Sequence, residues 1–116
     1  EISQFGYYRL SAPACHCLKQ KEGKFYLFND TTPYNGSCVV TNIKNNNCNE
    51  IYNFSFSFLD KYFLKDFISF QPNEYIKIVS TYSDGKRSGA RYYLNKKGNL
   101  LKIELYENGV LIETNY

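Results

Sequence analysis

A short phrase occurs twice near the end of this chain. Tyr82-Ser83-Asp84-Gly85 and Tyr106-Glu107-Asn108-Gly109 each set an aromatic residue two positions before Asp-Gly or Asn-Gly, 24 residues apart. Lys97-Gly98-Asn99-Leu100 marks a third turn between them. Asp-Gly and Asn-Gly between apolar runs are strong hairpin signals, because both central residues of a type I′ turn need positive φ. A period in the twenties predicts an array of small β units, each burying its apolar face only against its neighbours. Such an array presents a surface; it does not describe a catalytic centre.

The aromatic content points the same way. Tyrosine (12) and phenylalanine (9) dominate the apolar residues, and tryptophan and methionine are missing. Aromatic side chains suit a pleated, half-buried surface. A chain of 116 residues is expected to form one β domain, with a cysteine-containing part over 1–50 and repeat-like hairpins over 75–116. The net charge is +3, from 14 basic and 11 acidic residues. That is too small and too mixed to require a nucleic acid or an anionic membrane. No apolar run approaches the roughly 20 residues of a membrane-spanning helix. The chain opens on Glu1 instead of methionine, which predicts either a removed leader or a trimmed segment.

Cys15, Cys17, Cys38 and Cys48 all lie in the first half. An even count in a small chain predicts disulfides, and with them an oxidising location: secreted, periplasmic or at the cell envelope. In extended backbone Cys15 and Cys17 point the same way with Cα atoms ~6.5–7 Å apart, at the edge of the bridging range. Each is therefore expected to pair with one of Cys38 and Cys48, which leaves two connectivities. Free thiols and a zinc site are the alternatives. Cys15-His16-Cys17 does not have the spacing of structural zinc arms, so no metal is expected, and no cofactor. His16, the only histidine, reads as a solvent-facing neighbour of the cysteines.

Strands are expected over 5–10, 24–28 and 37–41, the last as the return strand of a hairpin with the second. Ser11-Ala12-Pro13 is expected to end the first, and 42–50 reads as a mobile loop pinned at Cys48. Phe54-Ser55-Phe56-Ser57-Phe58 alternates strictly, as a half-buried antiparallel strand does. The stretch 59–70 is ambiguous. Leu59, Tyr62, Phe63, Asp66, Phe67 and Phe70 recur at helical spacing, which favours a short helix over a second hairpin. Further strands are expected over 75–82, 90–94, 100–106 and 110–113. Ile76 and Ile78 are placed on one face, and Leu101, Ile103 and Leu105 inside. The fold class is thus mainly β, an antiparallel β-meander of short hairpins with at most one or two short helices.

The segment 82–111 resembles the MORN-variant repeats of bacterial proteins. Those repeats alternate Asp/Asn-Gly-Lys-x-x-Gly tips with a Tyr-Tyr pair and a following Gly-x-Leu. Gly85, Gly89, Tyr92, Tyr93, Gly98, Leu100, Tyr106, Gly109 and Leu111 match that pattern, and 25–36, with Pro33-Tyr34-Asn35-Gly36, resembles a degenerate earlier copy. The stretch 42–70 departs from it. The resemblance implies a non-enzymatic β-meander that binds another protein, and some members have antitoxin- or immunity-like roles, so a cognate toxin is the kind of partner it implies.

No catalytic constellation is legible. A nucleophile–His–acid arrangement has only His16 to use. Gly85-Lys86-Arg87-Ser88-Gly89 is a hairpin tip and not a phosphate loop. Asp60, Asp66 and Glu74 form no recognisable carboxylate pair. Lys86, Arg87, Arg91, Lys96 and Lys97 cluster in sequence, either as a contact for an acidic partner or phosphates or as solvated charges that discourage edge-to-edge pairing. The binding surface is placed on Arg91, Tyr92, Tyr93, Lys102 and Tyr106, because alternation turns Lys102, Glu104 and Tyr106 outward and splits Tyr92 from Tyr93. The alternative function is a small-ligand or glycan binder with a concave pocket lined by several of Tyr62, Phe63, Phe67, Tyr92 and Tyr93.

Overall fold

The computed structural model describes residues 7–28, 30–43, 48–49, 51–57, 62–65 and 73–116. In chain order the strands are β1 (Tyr7–Ala12), β2 (Leu18–Lys21), β3 (Lys24–Leu27), β4 (Gly36–Thr41), β5 (Tyr52–Ser57), β6 (Tyr62–Lys65), β7 (Ile76–Ser83), β8 (Lys86–Arg87), β9 (Gly89–Leu94), β10 (Leu100–Glu107) and β11 (Val110–Asn115). A single 3₁₀ turn, Cys15–Cys17, separates β1 from β2. The fold is mainly antiparallel β, built of short hairpins as the turn signals require.

The main sheet runs β11-β10-β9-β7-β4, with β8 paired to β7. Its meander half follows the repeat. Asp84 and Asn108 stand at φ 50 and 55, and the glycines after them at 77 and 84, which is the positive pair that a type I′ turn demands. A smaller sheet, β1-β5-β6, packs on one face. Ala12, Tyr52 and Phe54 from it meet Val39, Ile76, Val79 and Leu94 of the main sheet in the larger core. Full burial of a side chain the size of Phe54 contributes about 1.5–3 kcal/mol. The β2–β3 hairpin covers part of the opposite face, where Leu18, Phe25, Leu27 and Tyr34 enclose Cys38 and Tyr82.

The cysteines pin this arrangement. Cys15 bonds Cys38 and Cys17 bonds Cys48, so both earlier cysteines pair with later ones as expected. The geometry differs from the extended segment read from the sequence. Successive residues of a 3₁₀ turn are rotated by about 120°, so Cys15 and Cys17 diverge. Cys17 enters the larger core, whereas Cys15 lies against the smaller one. The turn sits beside β4, an edge of the main sheet, where Val39 N donates to Pro13 O at 3.0 Å. That edge is thereby covered, as exposed edges need to be. Two disulfides persist where the surroundings are oxidising.

Several expectations need correction. The strand β1 continues through Ser11 and Ala12 and stops at Pro13, and β2 forms over residues for which no strand was expected. β4 does not return on β3. It pairs with β7, while β3 pairs with β2. Within 59–70, Tyr62–Lys65 is a strand paired with β5, not a helix, and the rest of that stretch lies outside the described residues. A ready ladder on β5 outweighs a weak helical period in an aromatic segment. Of the loop expected over 42–50, residues 44–47 and 50 also lie outside them.

Register slips between β4 and β7, β9 and β10, and β10 and β11 shift side chains between faces. Thr41 pairs Ile76 but Val40 pairs Ile78, so Lys77 is an extra residue and alternation slips there. Ile76 therefore joins Val79 in the larger core, and Ile78 does not. In β10 the register slips between Leu100 and Lys102, and Leu101 is left 55 % exposed instead of inside. The far edge, β11, leaves Val110, Leu111 and Ile112 exposed.

Candidate functional site

The main sheet's second face is left uncovered over β9, β10 and β11, and its polar aromatic part lies on β9 and β10. Register sets its composition: Lys102 stands opposite Tyr93, and Glu104 opposite Arg91. The intervening pair, Ile103 and Tyr92, points the other way, and Tyr92 packs against the larger core. Of the five residues singled out from sequence, Arg91, Tyr93, Lys102 and Tyr106 share this face. Tyr92 does not belong with them.

These side chains are organised by Glu104. Its Oε1 accepts from the Tyr93 hydroxyl at 2.7 Å and from the Tyr106 hydroxyl at 3.1 Å. Its Oε2 lies 3.6 Å from Lys102 Nζ. The Tyr93 bond is the main reason that the Glu104 carboxyl stays below its ordinary pKa, with the Tyr106 bond and Lys102 adding to it against some desolvation. Burial, then the bond to Glu104, pushes the Tyr93 phenol above its ordinary value.

Cations stack on the same rings. Lys102 Nζ is 4.5 Å and the Arg91 guanidinium carbon 5.6 Å from the Tyr93 ring centre. Arg87 stands 5.7 Å from the Tyr106 ring and 6.0 Å from that of Phe25. Both arginines keep a buried Nε with no hydrogen-bond partner. Among the described residues neither has a carboxylate within ion-pair distance. The face thus holds three cations and one carboxylate, with its rings held by these contacts. Fixed aromatic rings and arginines lose little entropy on binding.

Sequence reasoning turned Glu104 outward but did not see it as the centre of this network. The signal was its position two residues from both Lys102 and Tyr106. Arg87 belongs to a basic stretch of the sequence in which Lys96 and Lys97 sit exposed on the β9–β10 turn. Only tertiary contact with Phe25 and Tyr106 separates Arg87 from them.

The other candidates are structural in their surroundings. The Sγ atoms of Cys17 and Cys48 lie close to an imidazole nitrogen of the exposed His16, but the two sulfurs are bonded to each other and offer no thiolate. Glu74 is buried; its Oε2 accepts from Tyr52 at 3.2 Å and lies 2.8 Å from Thr41 Oγ1, tying the end of β4 to the smaller sheet. Asp60 and Asp66 lie outside the described residues. Tyr92 and Tyr93 occupy opposite faces and cannot line one pocket; the side chains of Tyr62, Phe63 and Phe67 are outside the described set. No helix among the described residues is long and apolar enough to cross a membrane.

Comparison with protein families, curated proteins and solved structures finds no match to this chain.

Proposed function

We propose that this chain is a non-enzymatic protein-binding module of an extracytoplasmic compartment, secreted or at the cell envelope, and that the β9–β10 face is its contact surface. One observation carries the reading: Arg87, Arg91 and Lys102 stand on a face of ordered tyrosines whose single carboxylate, Glu104, is already engaged by two hydroxyls. Arginine and tyrosine anchors of this kind dominate interface energetics. An excess of positive charge suits a partner that brings acidic groups. The two disulfides support the oxidising location. The resemblance of 82–111 to MORN-variant repeats supports a protein partner, and a cognate toxin is the kind we favour.

The test compares wild type with the Arg91→Ala/Tyr106→Ala variant, each immobilised and exposed to the extracytoplasmic fraction of the source cell. A stoichiometric partner held by wild type and released by the variant, with both disulfides and the melting transition intact, supports the reading. Equal capture by the two proteins, or none by wild type, removes this face from the function.

A further inference from the structure

Three hairpin tips far apart in sequence meet at one end of the main sheet. Glu22-Gly23, Asp84-Gly85 and Asn108-Gly109 each have two consecutive residues at positive φ. Phe25 N donates to Gly85 O at 2.7 Å, and Gly109 N to Arg87 O at 2.8 Å, so the tips are bonded to one another. Between them lies a cleft of about 380 Å³. Its polar side chains are those of Gln20, Lys86, Arg87 and Asn108, and none is acidic. Asp84, at the rim, is held by Lys24 Nζ at 3.0 Å.

Arg87 is the fixed point of the cleft. Its guanidinium stands near the Phe25 and Tyr106 rings, and its Nε is buried without a partner. A positioned guanidinium, an ammonium and two side-chain amides, with no acid lining the space, offer donors and no acceptor charge to answer them. That chemistry calls for an anion. Phosphate sites built on turns use free backbone N–H groups in a concave nest. Here the Gly85 and Gly109 amides are engaged, by Tyr34 O at 2.9 Å and Arg87 O at 2.8 Å. Without such a nest the anion is left to the side chains, and the planar Arg87 fork beside the Lys86 ammonium can hold a carboxylate through two parallel hydrogen bonds.

We propose that this cleft is a carboxylate-binding site, filled by an acidic side chain or chain terminus of a protein partner. The partner's being a protein rests on the function proposed above; the site's preference for carboxylate rests on the cleft alone. Because Arg87 also touches Tyr106, the cleft continues the β9–β10 face.

The experiment is an amide NMR titration of the full, disulfide-intact chain at constant ionic strength. The probes are sodium acetate, a blocked tri-glutamate peptide and inorganic phosphate. Saturable shifts are expected at 20–25, 84–87 and 108–109, with the peptide binding more tightly than acetate. Arg87→Gln should weaken binding about ten-fold or more, as loss of a charged hydrogen bond does. Arg87→Lys, which keeps the charge and loses the fork, should also weaken it. Lys97→Gln, which removes one charge from the exposed β9–β10 turn, should not. If Arg87→Gln shifts resonances throughout the chain, Lys86→Gln takes its place as the reporter. Absence of saturable shifts, equal weakening by Lys97→Gln, or phosphate binding about ten-fold tighter than acetate overturns the site. A peptide no tighter than acetate assigns it to a free small carboxylate and overturns the protein source. These readouts need no partner, so they can fail while the Arg91/Tyr106 comparison succeeds, and the reverse.

Discussion

Tyr93 and Glu104 are joined across the β9–β10 ladder, the phenol donating to the carboxylate at 2.7 Å. The pair sets a pH dependence with a definite sign. Glu104 has a lowered pKa in the folded chain. Its contribution is therefore present above the ordinary glutamate value of about 4.3 and is lost as pH falls through the lower folded value. Glu104→Gln should flatten the acid limb of the melting temperature plotted against pH. Identical acid limbs in wild type and variant would show that the bond contributes nothing to folding.

The alkaline side runs through the same contact. Tyr93 has a raised pKa, first from burial and then from Glu104. The neutral phenol contributes stability below about pH 10 that is lost as pH rises through the folded value. Ultraviolet titration of wild type against Tyr93→Phe should show one fewer late-ionising phenol in the variant.

Two glycines with nearly the same backbone angle should respond differently to alanine. Gly89 (φ +76) has nothing within 4 Å of an added Cβ, so Gly89→Ala should cost only the left-handed strain, about 1–2 kcal/mol. Gly85 (φ +77) would place that atom 2.9 Å from Lys24 Cβ and 3.1 Å from Phe25 O. Gly85→Ala should lose a further ~1–3 kcal/mol, because the β2–β3 hairpin must move. Equal denaturant midpoints for the two variants would show that the hairpin does not pack on this tip.

Each disulfide closes a stretch of moderate length, with sequence separations of 23 and 31. Replacing either pair by serine should cost on the order of 3–4 kcal/mol in the chain-entropy model. Peptide mapping of the unreduced protein should recover Cys15 with Cys38 and Cys17 with Cys48. Recovery of the opposite pairing would contradict the fold at its covered edge.

Arg91→Ala with Tyr106→Ala should weaken partner binding by about one to several kcal/mol, the range of interface anchors. Stability should fall less, since both residues are only half-buried. Calorimetry of the variant, read beside a binding isotherm, separates the two effects.

The meander was legible because hairpin chemistry is local. Asp84-Gly85 and Asn108-Gly109 fix their turns through their own φ values, and the strands on either side follow from alternation. The even cysteine count carried the bridging of Cys15 and Cys17 to Cys38 and Cys48, because that inference needs only redox chemistry and reach. Turn and bridge alike are properties of residues near one another or of simple counting.

Tertiary structure decided what no local rule encodes. The pairing of β4 with β7 sets the order of the sheet, and it joins residues about forty positions apart. Bulges at Lys77 and Leu101 reverse which side chains are buried, because one extra residue flips every neighbour along a strand of period two. The divergence of Cys15 and Cys17 depends on a 3₁₀ turn that exists only against the edge of β4. Folding also separates Arg87 from the other basic residues of its stretch, because only the tertiary structure sets its guanidinium near the Phe25 and Tyr106 rings with no carboxylate beside it among the described residues.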